Sequence, residues 1–330
     1  MKSAESSGSR APDPSEEPRS EQELLAEWDG RTEPLLSIRC LTYNHAPFIE
    51  SALRGFLMQR TDFPFEIIVH DDASTDGTSE IVRRYATRYP NVIRPILQAE
   101  NQYSQGRKGW HAMEPLTRGR YIAVCEGDDY WTDPDKLQTQ VDYLERHPEC
   151  VVSGHDAEIR DAQGELVAAS KLPRYCQRDF SARELEQGDG FLLTLSLVFR
   201  NVPLARCVER SLVRNGDRFL LVLLGAYGGS HHHSDIRPGV YQVHDGGVWS
   251  SLNRQDRHAE AAHTYCMIHR YFRRIGREDL AQRFLDRCRE NYALTIPVPN
   301  LLRVLAFRLA DRPWLRRWWH RLVPYHPPRP

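Results

Sequence analysis

Tyr121-Ile122-Ala123-Val124-Cys125-Glu126-Gly127-Asp128-Asp129-Tyr130-Trp131 is the stretch on which the fold turns. Its apolar run reads as a strand buried on both faces, and the run stops at a cluster of carboxylates. The same design occurs upstream, where Phe65-Glu66-Ile67-Ile68-Val69-His70 leads into Asp71-Asp72-Ala73-Ser74. Earlier still, Leu35-Leu36-Ser37-Ile38-Arg39-Cys40-Leu41 ends in the turn-like cluster Thr42-Tyr43-Asn44-His45. Helical spacing follows the first strand at Ile49, Leu53, Phe56 and Leu57, and capping residues over 74–80 precede Ile81, Val82, Tyr85 and Ala86. Val92 to Leu97 predicts a further strand, Trp110 to Leu116 a helical segment, Leu137, Val141 and Leu144 a helix, and Val151 to Gly154 another strand. Strands alternating with helices imply an α/β fold, with a mostly parallel central sheet flanked by helices.

In such a sheet, ligands gather beyond the carboxyl ends of the strands, and both Asp71-Asp72 and Asp128-Asp129 fall there. One aspartate pair can be explained by turn formation alone, but two at equivalent positions point to a shared ligand. Hard oxygen donors of this kind suit Mg²⁺ or Mn²⁺, which keep part of their shell for substrate phosphates. The N-terminal half contains neither GxGxxG nor GxxxxGK[ST], so dinucleotide oxidoreductases and P-loop enzymes lose ground.

Ser37-Ile38-Arg39-Cys40-Leu41-Thr42-Tyr43-Asn44, Ile68 to Asp76 and Tyr121 to Trp131 resemble successive signatures of family 2 glycosyltransferases, in order and at normal spacing over about residues 35–150. The resemblance implies a GT-A fold, a nucleotide-sugar donor and inversion at the anomeric carbon. It further implies that Thr42 and Tyr43 border the nucleotide base, and that Asp72, with Asp71 beside it, contacts base or ribose. Glu126, Asp128 and Asp129 stand where the family has an Asp-x-Asp-Asp variant, with Asp128 near ribose and metal and Asp129 a metal ligand. Two departures are visible: Glu at the first of those positions, and Cys40-Leu41 in place of the family's apolar-Pro step. Inverting transfer needs a general base for the acceptor hydroxyl. Asn215-Gly216-Asp217-Arg218-Phe219 resembles the family's acidic segment, which makes Asp217 the first choice and Asp189 the alternative; either can also serve simply as a helix cap. Tyr241 to Ser250 resembles the segment closing over the diphosphate, which implies that His244 binds metal or diphosphate. Arg107, next to Lys108, is positioned to meet donor phosphates, although solvation explains it about as well.

The remaining sequence bounds the organisation. With 330 residues, 40% hydrophobic and 27% charged, and a net charge of -1, the chain has an ordinary globular composition. Residues 1–33 hold nine acids, four bases and few apolar groups, and are expected to form a disordered tail. Residues 34–255 are expected to form the GT-A domain, with a nucleotide-sugar-binding half over 34–150 and an acceptor half over 151–255. Residues 256–330 read as a helical extension whose basic, tryptophan-rich end, 300–322, suits peripheral contact with an anionic membrane. No basic stripe elsewhere supports nucleic-acid binding. Scattered cysteines without CxxC, and no apolar run that could span a bilayer, fit a cytoplasmic setting at the inner membrane face. Phe219 to Ala226 suits a buried helix, Asp161 to Gly164 a hairpin turn, and His231-His232-His233 a solvated loop. A glycan or lipid-linked acceptor is expected. The alternatives are a silent nucleotide- or sugar-binding module and a sugar nucleotidyltransferase, the latter disfavoured by the missing glycine-rich N-terminal loop.

Overall fold

The computed structural model describes residues 17–204, 207–244, 246–247 and 252–297. They divide into two compact units, one within Met1–Leu212 and Gly216–Ser251, the other within Val213–Asn215 and Leu252–Pro330.

The first unit begins with helix α1 (Glu21–Glu27), which corrects the expectation of disorder for this part of 1–33. Ser20 accepts a hydrogen bond from the Glu23 N–H, while the Glu23 carboxylate accepts one from the Ser20 N–H at 2.7 Å. This reciprocal cap fixes the first turn. Leu24 and Trp28 are then buried, with the Trp28 ring edge-on to Phe65 at 5.2 Å. Composition missed the helix because few apolar side chains anchor it, chiefly Leu24 and Trp28, with Leu25 packed beside them and Glu21 accepting from Asn91. Residues 1–16 lie outside the described residues.

The α/β pattern follows as β1 (Leu36–Thr42), α2 (Ile49–Leu57), β2 (Phe65–Asp71), α3 (Thr78–Arg88), β3 (Ile93–Leu97), α4 (Trp110–Met113), β4 (Tyr121–Val124), α5 (Lys136–Arg146) and β5 (Cys150–His155). A hairpin, β6 (Ala157–Asp161) and β7 (Leu166–Ala168), precedes α6 (Ala182–Glu186), β8 (Val198–Arg200), α7 (Val208–Ser211), α8 (Gly216–Leu224), β9 (Gly229–His233) and β10 (Gly239–Val243). The main sheet runs β3-β2-β1-β4-β8-β5-β9, and only β8 is antiparallel to its neighbours. Register places Thr42 opposite Asp71 at the carboxyl ends of β1 and β2. The expected mostly parallel, helix-flanked sheet is therefore present. The apolar faces of β1, β2 and β4 pack with α2 and Trp131, whose ring lies 4.8 Å from Phe56 and whose Nε1 donates to the Leu195 carbonyl.

A smaller sheet, β10-β6-β7, is joined to the segment after β4 by paired backbone bonds between Tyr130 and Val240, at 3.1 and 2.8 Å. That pairing lays β10 beside Asp128-Asp129. The hairpin turn forms as expected: Gly164, at φ +84°, donates to the Asp161 carbonyl. His231-His232-His233 do not form a solvated loop; they lie in β9, paired with β5, where His233 is 3% exposed and the His231 ring stacks on Tyr143 at 3.7 Å. Polar residue type hid a strand that pairing and ring stacking stabilise.

The second unit contains α9 (Arg254–Arg274) and α10 (Glu278–Ala293), joined through Gly276 at φ +77°. Phe272 and Phe284 stack between them at 5.6 Å. Among the described residues no helix is long and apolar enough to cross a membrane. The basic stretch 300–322 lies outside the described residues.

Candidate active site

The loops after β1 and β2 are stitched together residue by residue. Asn44, at φ +53°, donates its N–H to Ser74 Oγ at 2.8 Å and accepts from the Thr75 N–H at 2.9 Å. The next two amides donate to the other loop as well, His45 to Thr78 Oγ1 and Ala46 to Asp76, each at 2.9 Å. Asn tolerates the left-handed conformation that this tight exit requires. The chain therefore leaves β1 with Tyr43 exposed and the His45 ring turned toward Asp128.

Asp71 and Asp72 organise this rim from within. Asp71 is fully buried and accepts from the hydroxyls of Ser74 and Ser79. Asp72 is 7% exposed and accepts from the backbone N–H groups of Gln102 and Tyr103 at 2.7 and 2.9 Å. It thereby holds the loop that carries exposed Tyr103 and Arg107, whose guanidinium donates to Gln102 at 3.0 Å. Thr42 is buried, and Gly127 presses on it so closely that a Cβ there would stand 2.7 Å from Thr42 Oγ1.

The segment after β4 carries the charge. Glu126, Asp128 and Asp129 offer carboxylate oxygens within 4.8 Å of one another; Glu126 is exposed, Asp128 half-buried and Asp129 buried. Asp128 Oδ2 lies 3.1 Å from His244 Nε2 and 3.8 Å from His45 Nε2. Its other oxygen, Oδ1, is buried without a hydrogen-bond partner. Asp129 accepts from the Gln242 N–H of β10 at 3.1 Å. His244, just beyond β10, packs on Phe48 at 4.6 Å and is edge-on to His45 at 5.8 Å.

Such crowding shows in the acidities. Burial, then the charges of Asp128 and Glu126, push the Asp129 carboxyl well up. Glu126 is open to solvent yet hemmed in by protein; that confinement and the charges of Asp128 and Asp217 push it up to about 8. Desolvation would also raise Asp128, but the His244 hydrogen bond and the charge of His45 hold it below the usual carboxylate range. Carboxylates that repel one another around Asp128, one of whose oxygens has no partner while the other faces two imidazoles, form a donor set suited to a divalent cation. The residues present fit one.

Asp217 stands in the first turn of α8, accepts from Thr194 Oγ1 at 3.2 Å, and is near enough to Glu126 for its charge to act there. Asp189 is exposed after α6, where its N–H donates to the Glu184 carbonyl at 2.8 Å. Sequence reading passed over His45, which looked like one more polar residue in a turn. No sequence signal marks it, because the groups it faces, Asp128 and His244, are distant along the chain.

Residues 37–191 match the family model described as Glycosyl transferase family 2. An uncharacterized protein of Mycobacterium tuberculosis strain H37Rv is 40% identical over 221 residues, covering 66% of this chain and 61% of that protein. The putative glycosyltransferase EpsE of Bacillus subtilis is 29% identical over 178 residues, covering 54% of this chain and 62% of EpsE. The chain thus spans about three fifths of the length of these curated relatives. Among solved structures, the 1–349 portion of S. aureus TarS in complex with UDP-GlcNAc superposes with a TM-score of 0.56 at 17% identity, covering 84% of this chain and 81% of that one. The fold is GT-A.

Proposed function

Starting from the match of residues 37–191 to the Glycosyl transferase family 2 model, we propose that this protein is an inverting glycosyltransferase that moves a sugar from a nucleotide-sugar donor to an acceptor hydroxyl with the help of Mn²⁺ or Mg²⁺. The observation that carries the reading is the clustering of Glu126, Asp128 and Asp129, with His244 from the end of β10 set against Asp128 at 3.1 Å. Asp128, Asp129 and His244 would hold the cation, which when bound neutralises charge on the departing nucleotide diphosphate. Thr42, Tyr43 and the rim built by Asp71 and Asp72 would receive the nucleoside, and Arg107 the phosphates. A donor of this class is what the GT-A protein TarS carries as UDP-GlcNAc.

On the acceptor side, Asp217 would take the hydroxyl proton as the oxygen attacks the anomeric carbon and the bond to the diphosphate breaks. Its nearness to Glu126 supports this role over Asp189, which remains the alternative base. A glycan or lipid-linked acceptor, used in polysaccharide or glycoconjugate assembly, fits the family, and the arginine- and tryptophan-rich 300–322 segment is proposed to rest on the inner membrane face. Donor turnover tests the reading. Slow release of UDP or GDP from a nucleotide sugar that requires Mn²⁺ or Mg²⁺ and is lost in Asp129→Ala supports it; binding without turnover under every acceptor supplied would make the protein a silent binding module.

A further inference from the structure

We propose that His45 is itself a metal ligand, so that the cation sits on a face of two imidazoles and one carboxylate formed by His45, His244 and Asp128. The inference rests on the reading of this site as a cation-dependent donor site and deepens it. The ligand atoms of the three residues lie within 4.8 Å of one another, and they come from three separate segments: the loop after β1, the loop after β4, and the end of β10. His45 Nε2 stands 3.8 Å from Asp128 Oδ2, too far for a hydrogen bond. Two donors each bonded to one cation at ~2.1 Å can stand up to about 4 Å apart, so the gap is one that a shared ion spans.

Two further features point the same way. Asp128 Oδ1 is buried without a hydrogen-bond partner, so this carboxylate is not fully satisfied by the protein alone. The His45 backbone is also pinned, through its own N–H to Thr78 and through Asn44 and Ala46 on either side to Ser74 and Asp76. Such pinning fixes the backbone from which the imidazole reaches toward Asp128. The consequence is selectivity. A second nitrogen donor favours transition metals over Mg²⁺, which prefers an all-oxygen shell.

Pulsed EPR of the full-length protein loaded with Mn²⁺, alone and with UDP or GDP, tests this directly, because it counts nitrogen nuclei bonded to the ion. The wild type should show two directly coupled nitrogens. His45→Gln and His244→Gln should each show one, with Mn²⁺ affinity lowered by about tenfold or more and a smaller advantage of Mn²⁺ over Mg²⁺ in competition. Thermal unfolding of each variant, together with retention of the remaining nitrogen, reports that the site is still folded. Bound Mn²⁺ with the same nitrogen count in wild type and His45→Gln overturns the role of His45 and leaves the cation-dependent reading standing. Failure of Mn²⁺ to bind in the presence of either nucleotide overturns both.

Discussion

Asp128 touches more of the proposed chemistry than any other side chain described: it bonds to His244, faces His45, and its charge helps push the carboxyls of both Glu126 and Asp129 up in pKa. Replacing it by Asn keeps the shape and removes the charge, so Asp128→Asn should slow metal-dependent donor turnover by roughly 10²–10³-fold, read as release of nucleoside diphosphate. Asp217→Asn should lower kcat by roughly 10²–10⁴-fold with the donor KM little changed, as expected for loss of a base. Asp189→Asn should leave kcat near the wild-type value; the reverse pattern would transfer the role to Asp189. The carboxylates were legible in the sequence because acids ending an apolar run have few other reasons to be there. His45 was not, since its significance comes from Asp128 and His244, each more than 80 positions away, and only folding supplies that proximity.

At the scale of the elements, the sheet that aims these loops is locked at its opposite end. Buried Glu66 on β2 accepts from Ser37 of β1 at 2.6 Å and pairs with Arg118 at 2.8 Å, while the Gly119 N–H donates to Ser37 Oγ at 2.8 Å. A Cβ on Gly119 would stand 2.4 Å from the Ser37 nitrogen and 2.6 Å from the Leu36 carbonyl carbon, and backbone cannot swing aside. Gly119→Ala should therefore destabilise the protein by roughly 1–3 kcal/mol or more, seen as a lower midpoint in thermal or denaturant unfolding. An unchanged midpoint would mean that β1 and β4 are less tightly paired than described. Strands such as β1, β2 and β4 were readable because their apolar runs are long and end sharply. Strand β9 was not: its Gly-Ser-His-His-His sequence has no apolar alternation, and its place depends on pairing with β5 and stacking on Tyr143.

Across the whole molecule, the amino-terminal helix departs furthest from what its composition implied. Leu24 and Trp28 join the core of the α/β unit, so Trp28→Ala should cost about 3–5 kcal/mol of stability, where a disordered tail would tolerate the change. At the other end, removal of residues 298–330 should abolish co-sedimentation with vesicles containing anionic lipid while leaving nucleotide binding intact; binding retained after truncation would place the membrane contact elsewhere. The central claim is that a divalent cation, held around Asp128, joins this protein to a nucleoside diphosphate. Calorimetric titration of UDP and GDP into the full-length protein, with Mn²⁺ and with chelator, tests it most directly. Binding of one nucleotide that weakens by about tenfold or more on chelation, and to the same degree in Asp128→Asn, is the predicted result; equal affinity with and without the cation, or no binding of either nucleotide, would contradict it.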